Sequence, residues 1–92
     1  MLFSGLFGHR RKIRKLRKKW DREREKALKL KEPLRTNVLK KMDQIELNIR
    51  SLEEQRLGRV DVARLTKETE IDLEETKAIM KSKELYNQPQ SN

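Results

Sequence analysis

Side chains able to do covalent or proton-transfer chemistry are few and scattered in this chain. Its 92 residues include no cysteine and one histidine, His9. Ser4, Ser51 and Ser82 could act as nucleophiles only beside a general base, and none has one nearby in sequence. The adjacent carboxylates Glu53–Glu54 and Glu74–Glu75 fall on polar helix faces, where paired acids are solvated rather than tuned as acid and base. There is no glycine-rich phosphate loop. Without cysteine, disulfides and thiolate zinc sites are excluded, and with one histidine a protein zinc site would need several carboxylates as ligands. The expectation is a protein that is not an enzyme and carries no cofactor and no metal.

The chemistry the sequence does concentrate is cationic. Residues 1–31 hold 13 Lys/Arg and 3 Asp/Glu, a net charge of +10 within a chain whose total is +9. The remaining residues, with 11 Lys/Arg against 12 Asp/Glu, are close to neutral. Arg10, Arg11, Lys12, Arg14, Lys15, Arg17, Lys18 and Lys19 make the densest block. Eight cations in ten residues seek a polyanionic surface, either nucleic-acid phosphates or an anionic membrane.

Placing the segment on a helix separates those two partners. At 100° per residue, Leu2, Leu6, Ile13, Leu16, Trp20 and Ala27 share a wedge of roughly 80°, with Phe3 on its flank. A basic helix with an apolar edge suits a membrane interface, with side chains inserted among acyl chains and cations on headgroups. The expected inserting face is Leu2, Phe3, Leu6, Phe7, Ile13, Leu16 and Trp20. Nucleic-acid phosphates need no such edge, although Trp20 could stack on a base. Residues 1–20 also contain no acid, as a mitochondrial-type targeting segment would require, whereas a secretory signal would put its charges before its apolar run. His9 is a pH switch on one reading and a half-buried polar residue at a glycine bend on the other. No run approaches the ~20 apolar residues of a membrane span.

The elements that would carry these residues are helices. Of the chain, 42% is charged and only 34% hydrophobic, and Leu, Lys, Glu and Arg dominate. Such a composition favours long helices and is too poor in apolar residues for a self-sufficient globule of this size. The fold class expected is all-α: a basic amphipathic arm over 1–31, a helical hairpin or short coiled coil over 32–86 with a break near 58–61, and a disordered tail over 87–92. Pro33 either starts a new helix or kinks a continuous one. Leu34, Val38, Met42, Ile45, Ile49 and Leu52 form the next apolar stripe, spaced 4-3-4-3 from Val38. Gly58 suits a left-handed helix end and Asp61 a cap for the next helix. The following face, Val62, Leu65, Thr69, Leu73, Thr76 and Met80, is thinner and rich in threonine.

Ile71 and Ile79 fall off that face. Residues 58–80 resemble a helix-turn-helix motif, with Ile71 plugging the turn, Asp72 capping a second helix, and Thr76, Ile79 and Met80 on its buried side. Thr66 and Glu70 depart from that pattern, and Asp72, Glu74 and Glu75 would repel phosphates.

These readings converge on a structural or adaptor subunit of a larger assembly. It would dock peripherally on an anionic membrane through the arm, inside a cell, virion or organelle complex. It would meet protein partners, or a second copy, through Leu34, Val38, Met42, Ile45, Ile49, Leu52, Val62, Leu65, Leu73 and Met80. The alternative is a packaging, ribosomal or regulatory protein whose arm grips nucleic-acid phosphates. Neither reading requires a small-molecule substrate.

Overall fold

The computed structural model describes the backbone of residues 2–87 and the side chains of residues 10–82. Three helices form: α1 (Leu2–Leu28), α2 (Leu34–Glu54) and α3 (Arg59–Asn87). Each touches both of the others. Of the tail expected over 87–92, Asn87 is instead the last residue of α3, and residues 88–92, like the side chains of Leu2, Phe3, Leu6, Phe7 and His9, lie outside the described residues.

The chain reverses direction twice. Arg17 of α1 reaches Glu46 and Glu53 of α2, and Trp20 reaches Met42, so later residues of α1 meet earlier residues of α2. Lys41 of α2 pairs with Glu75 of α3, whose chain direction therefore returns to that of α1. The architecture is an up-down-up bundle.

Between α1 and α2 the chain breaks rather than kinks. Lys29 and Leu30 donate their backbone N–H groups to Lys26 and Ala27 in a tight final turn. Pro33 occupies the N-cap position of α2 and makes no side-chain cap bond. The capping is done by Glu32, whose carboxylate accepts the Thr36 N–H at 2.9 Å and the Thr36 hydroxyl at 2.7 Å. Those donors hold the Glu32 carboxyl below its ordinary pKa.

The second connection corrects two expectations. Gln55 leaves α2 in extended backbone, and Gly58 has no positive φ. A Cβ at Gly58 would meet nothing closer than Asp61 Oδ2 at 4.0 Å, so neither conformation nor space demands glycine there. Asp61 is inside the first turn of α3 and not its cap. There its carboxylate opposes the positive end of the helix dipole.

The helix-turn-helix resemblance is overturned. α3 runs unbroken from Arg59 to Asn87, and Ile71, placed as the plug of a turn, is 49% exposed in mid-helix. The physical reason is local: between Val60 and Met80 there is no glycine or proline, and Leu, Lys, Glu and Ala favour one continuous helix.

One core serves all three helices. α1 contributes Leu16, Trp20 and Ala27; α2 contributes Val38, Met42, Ile45, Ile49 and Leu52; α3 contributes Leu73 and Met80. Leu34, Val62 and Leu65 pack partly buried against it. The arm therefore supplies, within the same chain, a covering face that the sequence reading sought in a partner.

Candidate anionic-surface interface

The same rotation that turns Leu16, Trp20 and Ala27 inward fixes what α1 shows to solvent. Arg11, Lys15, Lys18 and Arg22 follow one another at i, i+4, i+7 and i+11 and occupy a wedge of about 60°, opposite Trp20. At 1.5 Å per residue the row runs about 16 Å along a straight helix. All four side chains are exposed, and none is in an ion pair among the described residues. Arg10, Lys12 and Arg14 are exposed beside the row. α1 as a whole holds 11 Lys/Arg and 3 Asp/Glu. α2, with four of each sign, is neutral.

Two of the eight expected polyanion ligands have a different task. Arg17 is half-buried and makes a forked contact with Glu53, Nη2 to Oε1 at 2.8 Å and Nε to Oε2 at 3.2 Å. Its Nη1 reaches Glu46 at 3.3 Å. These bonds raise the Arg17 pKa, and the Arg17 bond holds the Glu53 carboxyl below its ordinary value. A bidentate guanidinium–carboxylate contact fixes geometry as well as charge, so Arg17 ties α1 to α2. Lys19 pairs with Glu74 of α3 at 3.5 Å, and Lys41 with Glu75 at 3.4 Å. Two of the three acids that would have repelled phosphate on a recognition helix, Glu74 and Glu75, are thus counter-charges for neighbouring helices.

Three residues expected on the inserting face are also placed elsewhere. Leu16 and Trp20 are buried and Ile13 packs partly buried against the core. The Trp20 indole N–H donates to the Met42 carbonyl at 2.7 Å, and the guanidinium carbons of Arg17 and Arg24 lie 5.4 and 5.8 Å from its ring centroid. Buried in this way, the indole cannot meet acyl chains, and it cannot stack on a base.

The core also holds polar side chains. Glu23 of α1 is buried, with one carboxylate oxygen 3.5 Å from Lys26 Nζ and the other, Oε1, without a partner among the described residues. Thr66, Thr69 and Thr76 are buried on α3. Thr69 and Thr76 donate their hydroxyl hydrogens to the carbonyls of Leu65 and Asp72, whereas Thr66 Oγ1 has no partner among the described residues.

Arg22 was missed as a member of the row because the alternation of Asp21, Glu23 and Glu25 with Arg22, Arg24 and Lys26 reads as local ion pairing. Carrying the wheel past Trp20 would have found it: Arg22 is four residues from Lys18 on the same face. Among the described residues no group of three His, Cys, Asp or Glu could hold a metal. A groove of about 450 Å³ lies between the start of α2 and α3, beside Pro33, Val38, Thr76 and Ile79. Lys31, Glu32 and Lys41 also line it. No helix, among the described residues, is long and apolar enough to cross a membrane.

No protein-family model, curated protein or solved structure matches the chain.

Proposed function

We propose that this protein is a non-enzymatic, peripheral adaptor that docks on anionic membrane surfaces through the outer face of α1. The observation carrying this reading is the row Arg11, Lys15, Lys18 and Arg22, exposed and uncompensated along one rigid helix. Each such cation near an anionic leaflet contributes about 1 kcal/mol. A row of four with three flanking cations therefore favours reversible attachment. Nucleic-acid phosphates would be attracted by the same charges. That alternative loses its only tryptophan to the core, while the membrane reading keeps Leu2, Phe3, Leu6 and Phe7 as apolar residues ahead of the row. Protein partners of the adaptor would meet surfaces other than the α2 stripe, which α1 and α3 cover.

The test is co-sedimentation of the full chain with phosphatidylcholine vesicles, with and without phosphatidylserine. Binding is expected only with the anionic lipid. It should fall at least about tenfold in the variant Arg11→Glu/Lys15→Glu/Lys18→Glu/Arg22→Glu, as loss of several ~1 kcal/mol attractions requires. Vesicle binding that is absent at physiological salt, alongside tight binding of duplex DNA or RNA, would transfer the row to the nucleic-acid reading.

A further inference from the structure

The cation row of α1 has a neighbouring line of exposed side chains on α3. We infer that the docking surface is the joint α1–α3 side of the bundle, with Lys67 and Lys81 adding to its cations and Val60 entering the bilayer, while α2 stays in water. The inference rests on the docking reading above and fixes which way the docked molecule faces.

One ion pair sets the register of the two helices. Lys19 of α1 meets Glu74 of α3 at 3.5 Å, and solvent reaches both side chains, so the pair marks the outer seam where α1 and α3 meet. On α1, Lys15 lies four residues before Lys19 and Arg22 three after it, which puts two members of the row beside the pair. On α3, Val60, Lys67, Glu74 and Lys81 follow one another at steps of seven residues, and such a line drifts by only about 20° per step. All four are exposed. The two helices run in the same direction, so the register of the pair extends along both. Fourteen residues back, about 21 Å along a helix, Val60 comes level with Gly5, inside the apolar stretch Leu2–Phe7.

Charge and hydropathy agree on this side. Lys67 and Lys81 are in no ion pair among the described residues, and Lys19 answers the charge of Glu74. Glu70 and Lys77, seven apart on the adjoining flank of α3, offset each other. Val60 is 80% exposed, more than any other large hydrophobic among the described residues. A single exposed apolar residue is ordinary. This one stands at the end of a cationic side, level with the apolar start of α1, where a bilayer would take both. The outer face of α2 is the opposite side of the bundle. Leu47, two residues from each of the buried Ile45 and Ile49, is exposed there, with Lys40 seven residues before it. A flat bilayer can meet one of these two sides and not both.

The chain has no cysteine, so a single introduced one carries a dye at a chosen place. The experiment uses the full chain, phosphatidylcholine vesicles containing phosphatidylserine, and the polarity-sensitive fluorophore NBD on Val60→Cys or, on the other side, Leu47→Cys. Emission at Val60→Cys should shift to the blue and rise at least about twofold as the dye enters the acyl boundary, and emission at Leu47→Cys should not change. Sedimentation with the same vesicles compares Lys67→Glu with Lys40→Glu, which alter the net charge equally on opposite sides. Lys67→Glu should weaken binding about fivefold or more, and Lys40→Glu less than about twofold. Sedimentation of the wild-type chain with a silent dye at Val60→Cys, or with equal losses in the two charge variants, overturns the orientation and leaves docking intact. A response at Leu47→Cys instead puts α2 on the bilayer and overturns the orientation too. No sedimentation overturns docking, and the orientation with it.

Discussion

The Arg17 guanidinium reaches two carboxylates of α2, and its bond to one of them, Glu53, lowers that carboxyl's pKa. A group with a lowered folded-state pKa stabilises the fold above its ordinary value and loses that contribution as pH falls through the folded value. For Glu53 the window opens at the ordinary 4.5 and extends downward. Glu32, lowered by the Thr36 hydroxyl and N–H, titrates in the same window and loosens the start of α2. Arg17 stays charged throughout. The contact is partly exposed, so its worth is on the order of 1 kcal/mol rather than that of a buried pair. Thermal melts followed by circular dichroism should show a lower melting temperature at about pH 3 than at about pH 6. Glu53→Gln should begin lower at the higher pH and fall less between the two. Equal falls in both proteins would mean that the Arg17 fork does not hold α1 to α2.

At the scale of the element, α3 makes a sharp contrast between two apolar residues two positions apart. Leu73 is 2% exposed, in line with Thr69, Thr76 and Met80, whereas Ile71 is 49% exposed on the far side of the helix. Ile71→Gln should change stability by less than about 0.5 kcal/mol, as for an ordinary surface site. Leu73→Ala should remove about 2–5 kcal/mol, the range for emptying a core leucine position. Urea denaturation of both variants checks the pair, and a costly Ile71→Gln would restore a turn at that residue. The contrast shows what composition and periodicity can convey. Helix content was legible from the abundance of Leu, Lys, Glu and Arg, and a boundary from Pro33, which by sequence could equally have kinked a continuous helix. The residues spaced 4-3-4-3 from Val38 to Leu52 are those α2 buries. Which face covers which was not legible, because an apolar stripe states that it needs a partner and not which partner. The stripe of α1 fits a bilayer or a helix equally well by periodicity. Nor were the tasks of Arg17 and Lys19 legible, since their separation from Glu53 and Glu74 in sequence, 36 and 55 residues, is closed only by the packing. Ile71 misled for a related reason: an apolar residue off the stripe invites a second fold, yet isolated exposed hydrophobics are ordinary.

For the molecule as a whole, charge and packing divide the chain differently. Charge separates residues 1–31 from the rest, but the core crosses that line through Leu16, Trp20 and Ala27. Without α1, the core that Leu16, Trp20 and Ala27 complete with Val38, Met42, Ile45 and Ile49 would be opened to water. The remaining seam on α3 would be Leu73 and Met80 interspersed with Thr69 and Thr76. A two-helix hairpin of that composition buries too little apolar surface to offset its ordering entropy, since even complete domains of this size are marginal. Residues 32–92 produced alone should therefore lose the cooperative thermal transition of the full chain, with helical circular dichroism reduced at low concentration. Any helix recovered at high concentration should accompany self-association, because a second copy can offer the apolar face that α1 offers in the intact chain. Analytical ultracentrifugation alongside circular dichroism separates these outcomes. A cooperative, monomeric 32–92 would show that the body completes its own core and that α1 is an appendage. Cooperative unfolding confined to the full chain would make the cationic helix a structural third of the bundle, because Leu16, Trp20 and Ala27 complete its core.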